Sequence, residues 1–125
     1  MIKILVTGSQ GQLGSEIREE KNNYTNYHFI FSDINDFDIT KYEIVEEYVK
    51  NNNIECIINC AAYTNVEMAQ EQQLIADEIN HLSVNNLARI SKENDIKLIH
   101  ISTDYVFDGK SKKPYLESDT PNPKS

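Results

Sequence analysis

Short apolar runs alternate with amphipathic segments along the whole chain. Four runs of mostly apolar, β-branched or aromatic residues predict β-strands at residues 2–6, 27–32, 55–60 and 97–102. The third run centres on Cys56, Ile57 and Ile58, and consecutive apolar residues of this kind are typical of a strand that is buried on both faces of a parallel sheet.

The segments between these strands carry apolar residues at helical spacing. They predict helices at residues 12–20, from residue 40 to the asparagines at 51–53, and at residues 74–94. The second helix would begin with a capping box formed by Thr40 and Glu43. The third would face the sheet with one apolar side, which comprises Ile75, Ile79, Leu82, Leu87 and Ile90.

Strands that alternate with helices predict parallel βαβ units with right-handed crossovers. The expected fold is α/β, the N-terminal half of a Rossmann-type doubly wound parallel sheet in the strand order 3-2-1-4. In that order strand four lies beside strand one, and ligands bind in the crevice between the two. Residues 1–109 would form this domain, and residues 110–125 would be a loop.

The composition excludes several classes of protein. A formal charge of −8 argues against a nucleic-acid partner, because binding phosphate backbones needs clustered Lys and Arg. No apolar stretch has the length of a membrane span and no signal-peptide pattern is visible, so we expect a cytoplasmic protein without a membrane partner. His, Cys, Asp and Glu do not occur at the spacing of metal ligands, and we expect no metal site.

The motif T-G-S-Q-G-Q-L-G at residues 7–14 directly follows the first strand. Gly8 would let the chain turn sharply, Gly11 would let the backbone approach a pyrophosphate, and Gly14 would let the next helix pack closely. The free N–H groups at the start of that helix would face the phosphates. A strand before the turn and a helix after it favour a dinucleotide-binding site over a surface turn.

Asp33 stands at the end of the second strand, nineteen residues beyond Gly14. This is the expected place for a carboxylate that binds the 2′-hydroxyl of an adenosine ribose. An ordinary turn aspartate is the alternative, and Asp36 and Asp38 are competing carboxylates. A carboxylate at this position weakly favours NADH, and both NADH and NADPH stay open.

The last two strands also end in residues suited to a ligand. Ala61 and Ala62 would permit close approach of a cofactor, and the next two residues, Tyr63 and Thr64, carry hydroxyls. The motif S-T-D-Y at residues 102–105 would place two hydroxyls at the crevice, where one could donate a hydrogen bond to a carbonyl oxygen that gains charge as hydride arrives.

Four blocks of sequence resemble the extended short-chain dehydrogenase/reductase superfamily, and within it the dTDP-4-dehydrorhamnose reductase family. They are residues 7–14, the Asp38-Ile39-Thr40 segment, residues 59–64 and the S-T-D-Y-V-F-D-G block at residues 102–109. The resemblance implies that NADPH or NADH reduces the 4-keto group of dTDP-4-dehydro-6-deoxy-L-mannose to give dTDP-L-rhamnose. The partner of the complete enzyme would be that dTDP-linked 4-keto sugar.

The resemblance also implies roles for individual residues. Thr103 matches the catalytic threonine, which polarises the keto oxygen, while a tyrosine and a lysine from a Tyr-x-x-x-Lys motif expected just past Ser125 supply the proton. We therefore expect this chain alone to be inactive. The residues expected to bind the cofactor are Gly8, Gln10, Gly11, Gln12, Leu13, Gly14, Asp33, Asp38, Ile39, Ala61, Ala62, Tyr63, Thr64, Asn80 and Ser102.

Two alternative functions stay open. One is another nucleotide-sugar epimerase or dehydratase of the same superfamily, and the other is a non-catalytic module that resembles the regulatory β subunit of methionine adenosyltransferase. An intact Tyr-x-x-x-Lys motif after Ser125 would favour an enzyme, and its loss would favour the module. We also expect an open edge at strand four, which would favour a homodimer or aggregation.

Overall fold

The computed structural model describes residues 1–124, apart from the side chain of Val66. Within this range the strands are β1 (Ile2–Thr7), β2 (Tyr27–Phe31), β3 (Cys56–Asn59) and β4 (Lys97–His100). The helices are α1 (Gln12–Glu20), α2 (Tyr42–Asn51), α3 (Val66–Glu71), α4 (Gln73–Asp77) and α5 (Ser83–Glu93). A 3₁₀ turn at Lys21–Asn23 follows α1, and a π-helical turn at Glu78–Leu82 joins α4 to α5.

The strands form one parallel sheet in the order β2-β1-β3-β4. Strand β1 pairs with β2 along one edge and with β3 along the other, where Thr7 is level with Asn59. The α/β Rossmann-type fold is thus confirmed, but the predicted order 3-2-1-4 is wrong, because β3 and not β4 occupies the second edge of β1. Apolar periodicity identifies a strand, but it does not specify the neighbouring strand with which that strand pairs. The topological switch point therefore lies between β1 and β3.

The larger part of the core lies between the sheet and helices α2 and α5. Its most deeply buried side chains are Leu5, Val45, Val49, Ile57, Leu87 and Ile90. Burial of each such side chain contributes about 1.5–3 kcal/mol. On the other face of the sheet, Ile17 of α1 packs against a smaller cluster around Ile4 and Val6. These two layers hold β1 between them, and so they fix the position of the turn that follows it.

The long helix predicted at residues 74–94 is interrupted. Leu87 and Ile90 are fully buried, as expected, whereas Ile75 and Leu82 are 44% and 47% exposed. The reason is the π-helical turn at Glu78–Leu82, which changes the number of residues per turn and rotates the apolar side of α4 away from that of α5. A single apolar side over the whole segment was therefore a wrong prediction.

The capping box predicted at the start of α2 is not formed. The helix begins after Lys41, and no side chain caps it. The backbone N–H and the Oγ1 of Thr40 both donate to Asp38 Oδ1, at 2.9 and 2.7 Å. The Asp38 carboxylate accepts both hydrogen bonds, and an Asp side chain that bonds the backbone two residues later is a common turn device. Asn53, with φ 52°, terminates this segment as predicted.

Candidate functional site

A cavity of about 430 Å³ opens where β1, β2 and β3 end. We call it the switch-point cavity. Its lining residues are Thr7, Gly8, Gly11, Ser32, Asp33, Ile34, Phe37, Asp38, Ile39, Thr40, Cys60, Ala61, Ala62, Ile75, Glu78 and Ile79. Ligands of open α/β sheets bind at this position, outside the carboxyl ends of the strands at the switch point.

The glycine-rich turn forms one wall of the cavity. Gly8 has φ +61°, and a Cβ atom there would lie 2.6 Å from the backbone nitrogen of Ala61. Any side chain at residue 8 would therefore collide with the segment that leaves β3. A Cβ atom at Gly14 would lie 2.5 Å from the Gly8 carbonyl oxygen, so the third glycine lets α1 pack directly on the turn.

Gly11 lies at the start of α1 and differs from the other two glycines. It is exposed, and a Cβ atom there would have a single neighbour within 4 Å, the Gly8 carbonyl oxygen at 3.3 Å. No side chain caps α1, whose first residues, Gln12 and Leu13, are exposed. The N–H groups of a first helical turn have no partner within the helix, and with the positive end of the helix dipole they attract an anion.

Asp33 links the end of β2 to the glycine-rich turn. Its Oδ2 accepts a hydrogen bond from the Gln10 backbone N–H at 3.0 Å, and its Oδ1 accepts one from Ile34 at 2.7 Å. Gln10 itself does not line the cavity. The neighbouring Ser32 lines the cavity and is 1% exposed, and its Oγ has no hydrogen-bond partner within the described part of the chain. An unpaired buried hydroxyl is costly, and a bound ligand would give it a partner.

Apolar side chains form another part of the cavity lining. Phe37 and Ile39 reach it from the loop after β2, and Ile75 and Ile79 reach it from the α4 side. Asp38, between the first two, is held by Thr40, and the hydrogen bond from the Thr40 hydroxyl is the main cause that lowers the pKa of this carboxyl. Apolar walls with a few fixed polar groups suit a ligand that has a flat, largely apolar ring.

The segment after β3 passes along the cavity and then leaves it. Ala61 and Ala62 line the cavity, whereas Tyr63 and Thr64 do not. The Asn80 side chain binds both backbone groups of Tyr63: its Oδ1 accepts from the Tyr63 N–H at 2.8 Å and its Nδ2 donates to the Tyr63 carbonyl at 3.0 Å. Asn80 therefore positions this segment, and it is not part of the cavity lining.

Ser102 and Thr103 lie beyond β4, in a segment without regular structure. Both are exposed, neither lines the cavity, and Thr103 Oγ1 accepts a hydrogen bond from the Tyr105 N–H at 3.1 Å. The prediction that they lie at a crevice beside strand one is wrong, because β3 separates β4 from β1. Two strand spacings, about 10 Å, separate the ends of β1 and β4.

Several cavity residues were not predicted from the sequence. Ser32, Phe37, Ile75, Glu78 and Ile79 are the clearest cases. Ile75 and Ile79 were assigned to the side of the third helix that faces the sheet. Their i, i+4 spacing signals an apolar surface, but not what that surface covers.

Membrane spans and metal clusters are both absent from the described residues. No helix of residues 1–124 is long and apolar enough to span a lipid bilayer. No group of three or more His, Cys, Asp and Glu side chains in the same range is arranged to hold a metal ion.

Comparisons with known proteins agree with this geometry. The family model described as the RmlD substrate binding domain matches residues 2–125. A curated dTDP-4-dehydrorhamnose reductase from Aggregatibacter actinomycetemcomitans is 33% identical over 123 residues, which are 98% of this chain and 42% of that protein. The chain thus spans about two fifths of the length of this relative.

Solved structures of similar proteins show the same fold. A dTDP-4-dehydrorhamnose reductase from Clostridium acetobutylicum is 40% identical, with a TM-score of 0.90 over 99% of this chain and 44% of that one. The enzyme of the same name from Bacillus anthracis, solved in complex with NADP, is 36% identical, with a TM-score of 0.90 over 98% of this chain and 44% of that one. From the extent of these matches, this chain belongs to the family of the RmlD substrate binding domain, with dTDP-4-dehydrorhamnose reductases among its relatives.

Proposed function

We propose that this chain is the NAD(P)H-binding N-terminal part of a dTDP-4-dehydrorhamnose reductase. The complete enzyme reduces the 4-keto group of dTDP-4-dehydro-6-deoxy-L-mannose to give dTDP-L-rhamnose. The observation that carries the proposal is the close approach of Gly8 to Ala61 in the lining of a cavity that Gly11, directly before α1, and Asp33 also line. A Cβ atom at residue 8 would lie only 2.6 Å from the Ala61 nitrogen. The names of the relatives support the same substrate class.

The residues of the cavity fit a dinucleotide in three respects. The start of α1, without a side-chain cap, suits the pyrophosphate. Asp33 suits a ribose hydroxyl, and the unpaired Ser32 Oγ offers a further hydrogen-bonding group. The apolar wall that includes Phe37 and Ile39 suits the adenine ring.

When bound, the nicotinamide supplies a hydride to the keto carbon of the sugar. Thr103 is the residue of this chain that we assign to the chemistry, since its hydroxyl would donate a hydrogen bond to the keto oxygen and stabilise the charge that develops there. The hydroxyl oxygen accepts a hydrogen bond from the Tyr105 N–H, which leaves its own O–H free to donate, and the exposure of Thr103 leaves room for the sugar.

A proton must also be delivered to the oxygen, and a threonine is too weak an acid for this at neutral pH. None of the seven tyrosines of this chain is followed four residues later by a lysine. We therefore propose that residues 1–125 by themselves bind the cofactor without reducing the sugar.

Isothermal titration with NADH and with NADPH tests the cofactor assignment. Gly11→Glu should abolish binding, because it places a carboxylate where the pyrophosphate would lie, while the exposure of residue 11 lets the variant fold. Asn85→Glu, which adds the same charge on the exposed side of α5, should leave binding unchanged. Circular dichroism of each variant separates loss of binding from loss of folding. If folded parent protein bound neither nucleotide, the proposal would be wrong.

A further inference from the structure

The chain beyond β4 folds back on itself and closes a loop. The Asn122 backbone N–H donates a hydrogen bond to the Val106 carbonyl oxygen at 2.9 Å, so the two residues meet at the base of the loop. We call residues 106–122 the return loop. The structure describes all of its residues, and none of them belongs to a helix or a strand. Compact loops of this kind are held together by their own side chains.

Asp108 is the residue that joins the parts of the return loop. Its Oδ1 accepts hydrogen bonds from the Lys110 backbone N–H and from the Tyr115 hydroxyl, each at 3.0 Å. Asn122 Nδ2 donates to its Oδ2 at the longer distance of 3.4 Å. These hydrogen bonds, chiefly the one from the Lys110 N–H, lower the pKa of the Asp108 carboxyl. One carboxylate therefore binds the start, the middle and the end of the loop.

Tyr115 supports this carboxylate from the middle of the return loop. Its ring stacks on the Phe107 ring, with centroids 4.3 Å apart and an angle of 8° between the planes. Its hydroxyl accepts a hydrogen bond from the Ser111 N–H at 3.0 Å while it donates to Asp108. A hydroxyl that accepts and donates at the same time has a fixed orientation. The loop is thus ordered by contacts among its own residues.

Closure of the loop decides where the chain leaves it. Val106 comes three residues after Thr103, to which we assign a role in the chemistry. An extended chain of the same length would carry residue 122 up to about 55 Å away, whereas the closing hydrogen bond returns it to Val106. Thr103 is too weak an acid to deliver the proton, so the proposed reaction needs a proton donor beside it.

We propose that Asp108 is a positioning residue, which holds the return loop closed and so brings the segment after residue 122 back beside Thr103. The inference rests on the proposed function, because it is the reductase that needs a proton donor at this place. None of residues 106–122 lines the switch-point cavity. Asp108 therefore acts on the path of the chain and leaves the cofactor site unchanged.

Limited digestion with trypsin tests whether Asp108 holds the loop closed. Trypsin needs a locally opened chain to cut at Lys110 and Lys112 within the loop. Asp108→Ala should raise the rate of cleavage there by about tenfold or more, because losing hydrogen bonds to a charged group increases the open population. Asp108→Asn keeps an oxygen that can accept from Lys110 and Tyr115, and it should stay close to the parent. Glu117→Gln, at an exposed residue of the same loop, is the matched control for loss of a negative charge.

A nitroxide label measures the path of the chain directly. The label is attached through Lys124→Cys, at an exposed position two residues past the loop, in a chain that also carries Cys60→Ala so that the buried Cys56 is the remaining native thiol. Through the closing hydrogen bond, the route from residue 124 to Thr103 is about 25 Å at most. The label should broaden the NMR signals of Thr103 in the parent and in Asp108→Asn, and Asp108→Ala should restore them.

Each outcome has a distinct meaning, and circular dichroism confirms that each variant is folded. Cleavage and broadening that Asp108→Ala left unchanged would overturn the assignment to Asp108, while the proposed function would stand. Thr103 signals that the label did not broaden in the parent would show that the loop does not return the chain to Thr103. Asp108→Ala should bind nucleotide as the parent does. If folded parent bound neither NADH nor NADPH, the proposed function would fail, and with it the role of the loop.

Discussion

Thr7 Oγ1 donates a hydrogen bond to Asn59 Oδ1 at 2.6 Å, and both side chains are buried where β1 and β3 end. The same Asn59 oxygen accepts the Ala61 N–H at 3.2 Å, and the Asn59 Nδ2 lies 3.2 Å from His100 Nδ1. One amide therefore joins the ends of β1, β3 and β4 at the edge of the sheet where the cavity opens.

Thr7→Val should destabilise the chain by about 1–2 kcal/mol, because it removes the hydroxyl from a buried hydrogen bond while keeping the shape of the side chain. Urea unfolding followed by circular dichroism measures this change. Thr64→Val, at an exposed threonine outside the cavity, should have little effect. Equal midpoints for Thr7→Val and the parent would show that this hydrogen bond does not stabilise the junction.

Replacement by alanine should lower the stability of the chain more at Gly14 than at Gly11. A Cβ atom at Gly14 would lie 2.5 and 2.7 Å from backbone atoms of residues 8 and 9, so Gly14→Ala should cost about 3 kcal/mol through overpacking. Gly11→Ala, with its nearest contact at 3.3 Å, should cost about 1 kcal/mol or less. Thermal unfolding of the two variants shows which of them loses more stability. In a helix interior alanine is normally more favourable than glycine. A Gly14→Ala variant more stable than the parent would therefore show that the Cβ atom does not collide with the turn.

Asn80→Ala should loosen the segment that borders the cavity. The variant loses both hydrogen bonds to the Tyr63 backbone, and the Tyr63 amide should then exchange with deuterium faster. Hydrogen exchange followed by mass spectrometry measures this on the peptide that contains residues 61–64. Asn85→Ala on α5 is the control. Unchanged exchange in Asn80→Ala would contradict the positioning role.

The hydrogen bond between Tyr42 and Glu93 should make the free energy of unfolding depend on pH in the alkaline range. The Tyr42 hydroxyl donates to Glu93 Oε2 at 2.5 Å, and mainly this bond raises the pKa of Tyr42 from its ordinary value of 10 to about 12. The folded chain thus holds the proton more tightly than the unfolded chain does. The contribution of this hydrogen bond to the free energy of unfolding is complete below pH 10, and it is lost as the pH rises from 10 towards 12.

Urea unfolding between pH 8 and pH 11 tests this dependence. The parent should lose stability as the pH rises, and Tyr42→Phe should lose less, because the variant lacks the hydrogen bond to Glu93. Tyr24→Phe, at a 53% exposed tyrosine, should lose as much stability as the parent. Identical pH profiles for the parent and Tyr42→Phe would exclude the contribution.

The outer edge of β4 should promote self-association. β4 is at the end of the sheet and is bonded only to β3 among the described strands, and Ile99 and Ile101 are about half exposed. Unpaired strand edges and contiguous apolar surface favour pairing with a second copy. Sedimentation velocity should show concentration-dependent dimers or larger species, which Ile99→Lys reduces. Leu116→Lys, at another exposed apolar residue, should not reduce them, and a parent that stayed monomeric at high concentration would contradict the prediction.

The four strands, α1 and α2 could be predicted from the sequence because each depends on local chemistry. The strands and the first helix follow from apolar periodicity, and α1 has the predicted bounds, residues 12–20. The glycine-rich turn could be located because a positive φ at Gly8 and close packing at Gly14 both require glycine. The position of Asp33 beside that turn follows from its spacing along the chain.

Which of these elements pair or pack against each other became known only from the tertiary structure. Either edge of β1 can accept a parallel strand, so the pattern of β3 and β4 did not specify that β3 would pair there and separate Thr103 from the glycine-rich turn. The π-helical turn at Glu78–Leu82 has no sequence signature in this chain, yet it rotates Ile75 and Ile79 towards the cavity. Asn80 likewise contacts the Tyr63 backbone across seventeen residues. Local sequence determines the elements, whereas the pairing of strand edges and contacts between distant residues determine the site.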